Sequence, residues 1–336
     1  MKQKTILVTG GGGYIGTGVV EKLLEKNYKV KVFDKFFYGK DIFTDMKNSK
    51  NIEYVEADIR EISSLKTALK NVDSVIHLAG IVGDIACSVD EKLAREVNIE
   101  ATYKIKEAVK LFPIEKFIFA STCAVYGSTQ QIVHEESQVD INAISIYAQT
   151  KLIAERDLLE DTSDKLHPII LRFTTVFGHS WKMRFDLAIN LFVGQTFHNI
   201  PITLIGGDQW RPFIHVQDLA IAILTVLEAP LKKVNRQIFN VGDDRQHMQI
   251  KEVISMIENM VKDERKIKVK HKKGLSNRGD YRVSFKKITE QLQFQRSKDI
   301  EVGIREIYEN FRNGIYTKDI SDPYYSSLQT ERIKKT

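Results

Sequence analysis

With 336 residues, of which 43% are hydrophobic and 28% charged, the chain can bury a sizeable core in two closely joined lobes. No apolar run reaches the roughly 18 residues of a membrane span, and the first strand starts too near Met1 for a signal peptide, so no membrane partner is expected. The net charge of +6 is spread along the chain, its densest run (266–273) alternates like a strand with one solvated basic face and lacks the interleaved aromatics of a nucleic-acid patch, and two cysteines, Cys87 and Cys123, make neither a disulfide framework nor a metal site; a cytoplasmic setting is expected.

Lys4-Thr5-Ile6-Leu7-Val8 is β-branched and apolar, as a buried strand is, and Val19 to Glu25 has helical spacing. Between them lies Thr9-Gly10-Gly11-Gly12-Gly13-Tyr14-Ile15-Gly16. Glycine at 10 permits a tight turn, at 13 a close approach of backbone to a pyrophosphate, and at 16 the packing of helix on strand. The helix N-terminus then faces the phosphates with free N–H groups and the positive end of its dipole. A second strand, 28–33, ends at Asp34. A carboxylate about 20 residues past the glycines accepts from adenosine ribose hydroxyls and repels a 2′-phosphate, which favours NAD over NADP. Lys35 beside it pulls the other way.

A third strand, 52–56, delivers Asp58 and Ile59 to the carboxyl edge of the sheet, where Asp58 is placed to accept from an adenine amino group. A helix from Ser63 to Leu69 leads to a fourth strand, Ser74 to His77, and to the small-residue turn Leu78-Ala79-Gly80, against which a cofactor can lie. His77, inside the strand pattern, reads as a core histidine. One long helix is expected from about Asp90 to Leu111, closed by Pro113. The fifth strand, 116–120, presents Ser121 and Thr122 at its end, and a helix starting near Ser145 carries Tyr147 and Lys151, which at i and i+4 share a face.

That last pair has a chemistry. A tyrosine of pKa about 10 must drop by about three units, roughly 4 kcal/mol, to act as a base near neutrality. One ammonium about 4 Å away supplies on the order of 4 kcal/mol at an effective dielectric of 20. Lys151, helped by a positive nicotinamide, is the right size of perturbation to activate Tyr147. Thr122 would bond the same substrate oxygen while the proton goes to Tyr147 and hydride to the cofactor.

Taken together, the glycine turn, Asp34, Asp58-Ile59, Leu78-Ala79-Gly80, Ser121-Thr122…Val125-Tyr126-Gly127 and Tyr147-x-x-x-Lys151 resemble the extended short-chain dehydrogenase/reductases, specifically the NAD-dependent nucleotide-sugar epimerase/dehydratase group. The match continues through 171–178, Arg211-Pro212-Phe213-Ile214-His215-Val216 with Asp218, and Arg278-Gly279-Asp280. The resemblance implies an α/β fold, a doubly wound, seven-stranded parallel Rossmann sheet with a smaller C-terminal substrate lobe. Its expected parts are an NAD-binding domain over 1–177 that also receives a later strand near 237–241, a substrate lobe over 178–320, and a tail over 321–336. It further implies NAD as cofactor, a nucleotide-diphosphate sugar as substrate, no metal, and a homodimer formed through the helices near 90–111 and 145–160.

Carried over by position, Thr122, Tyr147 and Lys151 are catalytic. Gly10, Gly13, Tyr14, Ile15, Gly16, Asp34, Asp58, Ile59, Leu78, Ala79, Gly80, Val176, Tyr147 and Lys151 meet the cofactor. Thr122, Thr175, Arg184, Arg211, Arg278 and Asp280 meet the substrate, the arginines suiting phosphate and Asp280 a ribose hydroxyl. Thr175 stands where the family often has Asn. Cys123 and Ala124 stand where 4,6-dehydratases carry Asp-Glu, and neither does that acid–base work. The stretch 175–187 resembles a subgroup of epimerases and dehydrogenases for bacterial surface sugars, some of which oxidise C4 of a GDP-linked heptose. In it Arg184 serves either a substrate oxygen or a surface pair with Asp186. The leading expectation is a C4 epimerase. Its alternatives are a C4 dehydrogenase that releases the 4-keto sugar, a 4,6-dehydratase, and, from a different class, a non-catalytic NAD-binding protein.

Overall fold

The computed structural model describes residues 3–272 and 280–327. Its centre is a parallel sheet of seven strands. The strand β1 (Thr5–Thr9) pairs on one side with β2 (Lys29–Asp34), which pairs with β3 (Ile52–Glu56). On the other side it pairs with β4 (Ser74–His77), followed by β5 (Lys116–Thr122) and, after the short β6 (Ile132–Val133), by β7 (Pro168–Phe173). Further on, β8 (Thr175–Phe177), β9 (Ile202–Ile205) and β10 (Trp210–His215) lie outside this sheet, and β11 (Ile238–Val241) returns to its edge beside β7. The order β11-β7-β5-β4-β1-β2-β3 reverses between β1 and β4. Ligands of open α/β sheets bind at that reversal, beyond the carboxyl ends of the strands.

Alternation along β1 explains the layers. Ile6 and Val8 face one buried cluster and Leu7 faces the other. All three have no solvent exposure, and each such side chain contributes roughly 1.5–3 kcal/mol of burial. Helix α1 (Tyr14–Glu25) covers the first face together with Val216–Glu228, against which it packs. The second face is covered by α2 (Ile62–Ala68), the helical run formed by α4 (Glu91–Arg95) and α5 (Ala101–Val109), and part of α6 (Ile146–Glu160); α3 (Asp84–Val89) precedes that run.

The helix expected over 90–111 is interrupted. Residues 96–100 form one wider π turn between α4 and α5. Such an insertion is common at functional positions, and here it buries Asn98 beneath the Leu78–Gly80 turn, where its amide donates to Ile81 O (2.9 Å) and its carbonyl accepts from Ile81 N (2.8 Å). The smaller region contains the sheet β8–β10 extended antiparallel by His247–Gln249, the pair β9 with Val269–Lys272, and the helices Ala188–Phe197, Ile250–Val261 and Ile300–Arg312. The basic run contributes the short strand Val269–Lys272, exposed at Lys270 to Lys272. Among the described residues no helix is long and apolar enough to cross a membrane.

Candidate active site

The turn after β1 has the geometry its glycines permit. Gly10 has φ +71°, and a side chain there would meet Ala79 N at 2.6 Å; a Cβ on Gly16 would overlap Gly10 O. The chain therefore brings the Leu78–Gly80 turn against the start of α1. Gly13 opens α1 with no side-chain cap, and no acidic residue occupies its first turn. The helix thus presents its leading N–H groups to the crevice, a cradle that suits a pyrophosphate. Tyr14 offers only its backbone there. Its ring is buried, and its hydroxyl donates to Gly178 O (2.7 Å). Ile15, beside it, is half-buried, and Val176 is buried in β8.

Asp34 closes β2 with Oδ2 accepting from Gly12 N and Oδ1 from Phe36 N, both at 2.9 Å. Burial pushes its carboxyl upward, while these backbone donors work to keep it ionised. Lys35, the residue that clouds the choice between NAD and NADP, donates to Asp58 Oδ2 at 2.9 Å. Asp58 also receives Arg60 N (2.9 Å), Nε (3.0 Å) and Nη2 (2.7 Å). Burial opposes its ionisation, but these donors hold it well below the usual carboxylate range. Four donors fill the acceptor sites of a carboxylate. Asp58 thus ties Lys35 to the turn at Arg60, with two donors on each oxygen. Ile59 beside it is buried.

Thr122 ends β5 beside Tyr147 in the first turn of α6, whose N-cap Ser145 accepts from Ala148 N (3.3 Å). The Thr122 hydroxyl accepts from Ala124 N (3.1 Å) and favours the phenolate of Tyr147. One turn along α6, Lys151 is 3% exposed and donates to Ala120 O at 2.9 Å, with its ammonium 4.8 Å from the Phe119 ring centre. Burial brings it down to about 8, against the pull of Cys87 and Glu155. The phenol of Tyr147 is held above its ordinary range by burial, with Cys87 adding to this and Thr122 and Arg184 opposing. Lys151, one turn along the same helix face, donates to Ala120 O, and the Arg184 charge also favours the phenolate.

Behind this group lies a buried network that the sequence reading missed. Glu155, one turn beyond Lys151, pairs with Arg172 of β7 at 2.7 Å, with side-chain exposures of 1% and 5%. Ser121 Oγ donates to the same carboxylate. Arg172 also donates to the Tyr126 hydroxyl (2.9 Å), which donates to Asn240 Oδ1 (2.7 Å). The spacing 147, 151, 155 on one helix face was the available signal. Asn98 had none, because its burial follows from the wider turn at 96–100 and not from a motif of its own. Cys123 is fully buried, its thiol near Arg172 O (3.2 Å) and pushed up by burial. His77 is a core histidine, between Thr9 Oγ1 (2.6 Å) and Thr102 Oγ1 (3.2 Å) and driven down to about 3 by burial.

On the substrate side, Thr175 opens β8 and pairs in register with Phe213 of β10. Arg211 donates to Trp210 O (2.9 Å) and stacks over the Tyr281 ring at 5.3 Å. Asp280 accepts from Trp210 N (2.9 Å) through one oxygen. Arg184 forms the pair with Asp186 that the sequence left as one of two options, at 2.8 Å through both Nε and Nη2. Arg278 lies outside the described residues.

A family model described as the NAD dependent epimerase/dehydratase family matches residues 6–242. A UDP-glucuronate 4-epimerase from Thermodesulfobacterium geofontis is 30% identical over 267 residues, covering 76% of this chain and 80% of that protein. A UDP-glucose 4-epimerase from Rhizobium leguminosarum is 29% identical over 281 residues, covering 77% and 83%. The crystal structure of a UDP-glucuronic acid 4-epimerase from Bacillus cereus, in complex with UDP-glucuronic acid and NAD, superposes with a TM-score of 0.82 at 26% identity, over 92% of this chain and 99% of that one.

Proposed function

Because this chain belongs to the NAD-dependent epimerase/dehydratase family, we propose that it inverts C4 of a nucleotide-diphosphate sugar, with uridine the base that the relatives' names carry. The observation that carries the reading is the convergence of Thr122 at the end of β5 with Tyr147 and the buried Lys151 of α6, with Cys123 and Ala124 where a dehydratase needs an acid and a base.

Bound NAD supplies a hydride acceptor that can return the hydride to either face of C4. The chain's residues do the rest. Uncapped N–H groups of α1 hold the pyrophosphate, and Asp34 takes the ribose hydroxyls, with Lys35 engaged by Asp58 rather than free to welcome a 2′-phosphate. Thr122 and Tyr147 converge on the C4 oxygen. Tyr147 takes its proton on oxidation and gives it back on reduction. Lys151 keeps a positive charge under the site, and its bond to Ala120 O fixes α6 against β5. Arg211, Arg278 and Asp280 take the diphosphate and ribose, and Arg184 a substrate oxygen near the sugar.

The working form is read as a cytoplasmic homodimer. α5 and α6 run side by side, tied by Lys106–Asp157 (2.8 Å) and Lys110–Asp161 (2.9 Å), and neighbouring α3 exposes Ile85 and Val89, which supports pairing there. Purified protein incubated with a panel of UDP-, GDP- and dTDP-sugars without added cofactor tests the activity. A product of unchanged mass and inverted C4 is expected. Turnover that requires added NAD⁺ and yields a sugar two hydrogens lighter, or a loss of water, contradicts it.

A further inference from the structure

We propose that the segment Pro323–Ser327 is a positioning strap. It fixes the Arg184 guanidinium against Asp186, and the subsite around that guanidinium is complete only with the strap docked. The proposal deepens the reading of Arg184 as a substrate contact and rests on it.

Arg184 and Asp186 lie on irregular chain between β8 and the helix Ala188–Phe197. Asn190 of the following helix holds the Arg184 backbone, its Nδ2 donating to Arg184 O (2.9 Å), and Ser327 adds a hold on both side chains. Its Oγ accepts from Arg184 Nη2 (3.0 Å) and donates to Asp186 Oδ2 (2.8 Å), and its backbone N donates to the same oxygen (3.1 Å). The arrangement commits Nε and Nη2 of Arg184 and, among the described residues, leaves Nη1 with two N–H groups for an oxygen of the substrate. The guanidinium is near enough to the reacting phenol for its charge to favour the phenolate of Tyr147.

The strap is anchored on both sides of the cleft. On the sugar side, Phe185 N donates to Tyr325 O (2.9 Å), and the Tyr325 ring packs edge-on to Phe185 at 4.9 Å. Lys182, 1% exposed, donates to Met183 O (3.1 Å) and to Tyr324 O, and its ammonium lies 3.8 Å from the Tyr38 ring centre and 4.6 Å from that of Tyr324. A buried ammonium needs carbonyls or aromatic faces around it, and here the strap provides one of each. On the cofactor side, the Tyr38 hydroxyl, four residues beyond Asp34, donates to Ser326 O (3.1 Å). One short segment thus joins the loop that follows the cofactor carboxylate to the loop that holds Arg184.

The test compares the full chain with Ser327→Ala, Ser327→Thr and a chain ending at Asp322, each alone and with Arg184→Lys. Two readouts are taken, steady-state kinetics on the sugar found by the panel and the solvent exchange of the Arg184 Nε–H in a nitrogen-15 spectrum. Ser327→Ala is expected to raise KM roughly tenfold, about one hydrogen bond to a charged group, with kcat within about twofold and the Nε–H exchanging faster. Ser327→Thr restores both, and no further KM change follows in the Arg184→Lys background. An unchanged KM and exchange rate in Ser327→Ala and in the shortened chain, or an equal loss in the Arg184→Lys background, overturns the strap. If the wild-type protein turns over no nucleotide sugar, the functional reading falls while the exchange rates still decide the strap.

Discussion

Lys151→Met separates what the site costs from what it does. An ammonium that sits at about 8 in the folded chain against its ordinary 10.5 lowers stability at pH 7 by on the order of 3 kcal/mol, at 1.36 kcal/mol per pH unit. Methionine fills similar space without the charge. It also strands Ala120 O, whose lost bond of 2.9 Å takes back about 1 kcal/mol, so the net gain is about 2 kcal/mol. At about 2.1 cal/mol/K per residue over the 336 residues, that gain raises Tm by about 3 °C. The sign fixes the pH dependence. A lysine whose pKa is depressed by folding destabilises fully below its folded value, and the penalty fades as pH rises through 8 towards 10.5. Melting curves of cofactor-free wild-type and variant protein at pH 7 and pH 10 read this directly. The variant should melt higher at pH 7, the gap should close towards pH 10, and turnover should be lost at both. A variant that melts below wild type at pH 7, or a gap that ignores pH, refutes the reasoning.

Tyr147→Phe keeps the fold and the NAD content and lowers turnover by about 10²–10⁴-fold, the range of one general acid–base group; NAD content by absorbance and turnover by NMR check it. Asp34→Asn raises the Kd for NAD by roughly tenfold or more, since a charge-assisted bond is worth about 1.5–3 kcal/mol, and narrows the preference over NADP, as measured by calorimetry with both. Glu155→Gln leaves Arg172 buried without its partner at 2.7 Å and costs about 3–5 kcal/mol in urea unfolding; replacing Arg172 by Met as well recovers part of that loss.

Strands β1 to β5 and the placing of Thr122, Tyr147 and Lys151 were legible because each rests on local pattern, an apolar run or a helix face. Features that depend on a distant partner were not. Asp58 reads as a free acceptor until Arg60 and Lys35 are seen to occupy it. Arg184 reads as an even choice between Asp186 and substrate, whereas Ser327, 143 residues away, organises both. The π turn at 96–100 packs against α6, and the buried Glu155–Arg172 pair joins α6 to β7, which no single stretch of sequence encodes. The opening of the tail expected over 321–336 proves packed as far as Ser327, with Tyr325 5% exposed.

The most direct test of the central claim uses a nucleotide sugar deuterated at C4, incubated with the protein and no added cofactor. Hydride removed by a resident NAD and returned to the opposite face keeps the label, so the account predicts an inverted product with deuterium still at C4. A product that has exchanged the label with solvent, or a 4-keto sugar with the label left on reduced cofactor, contradicts it.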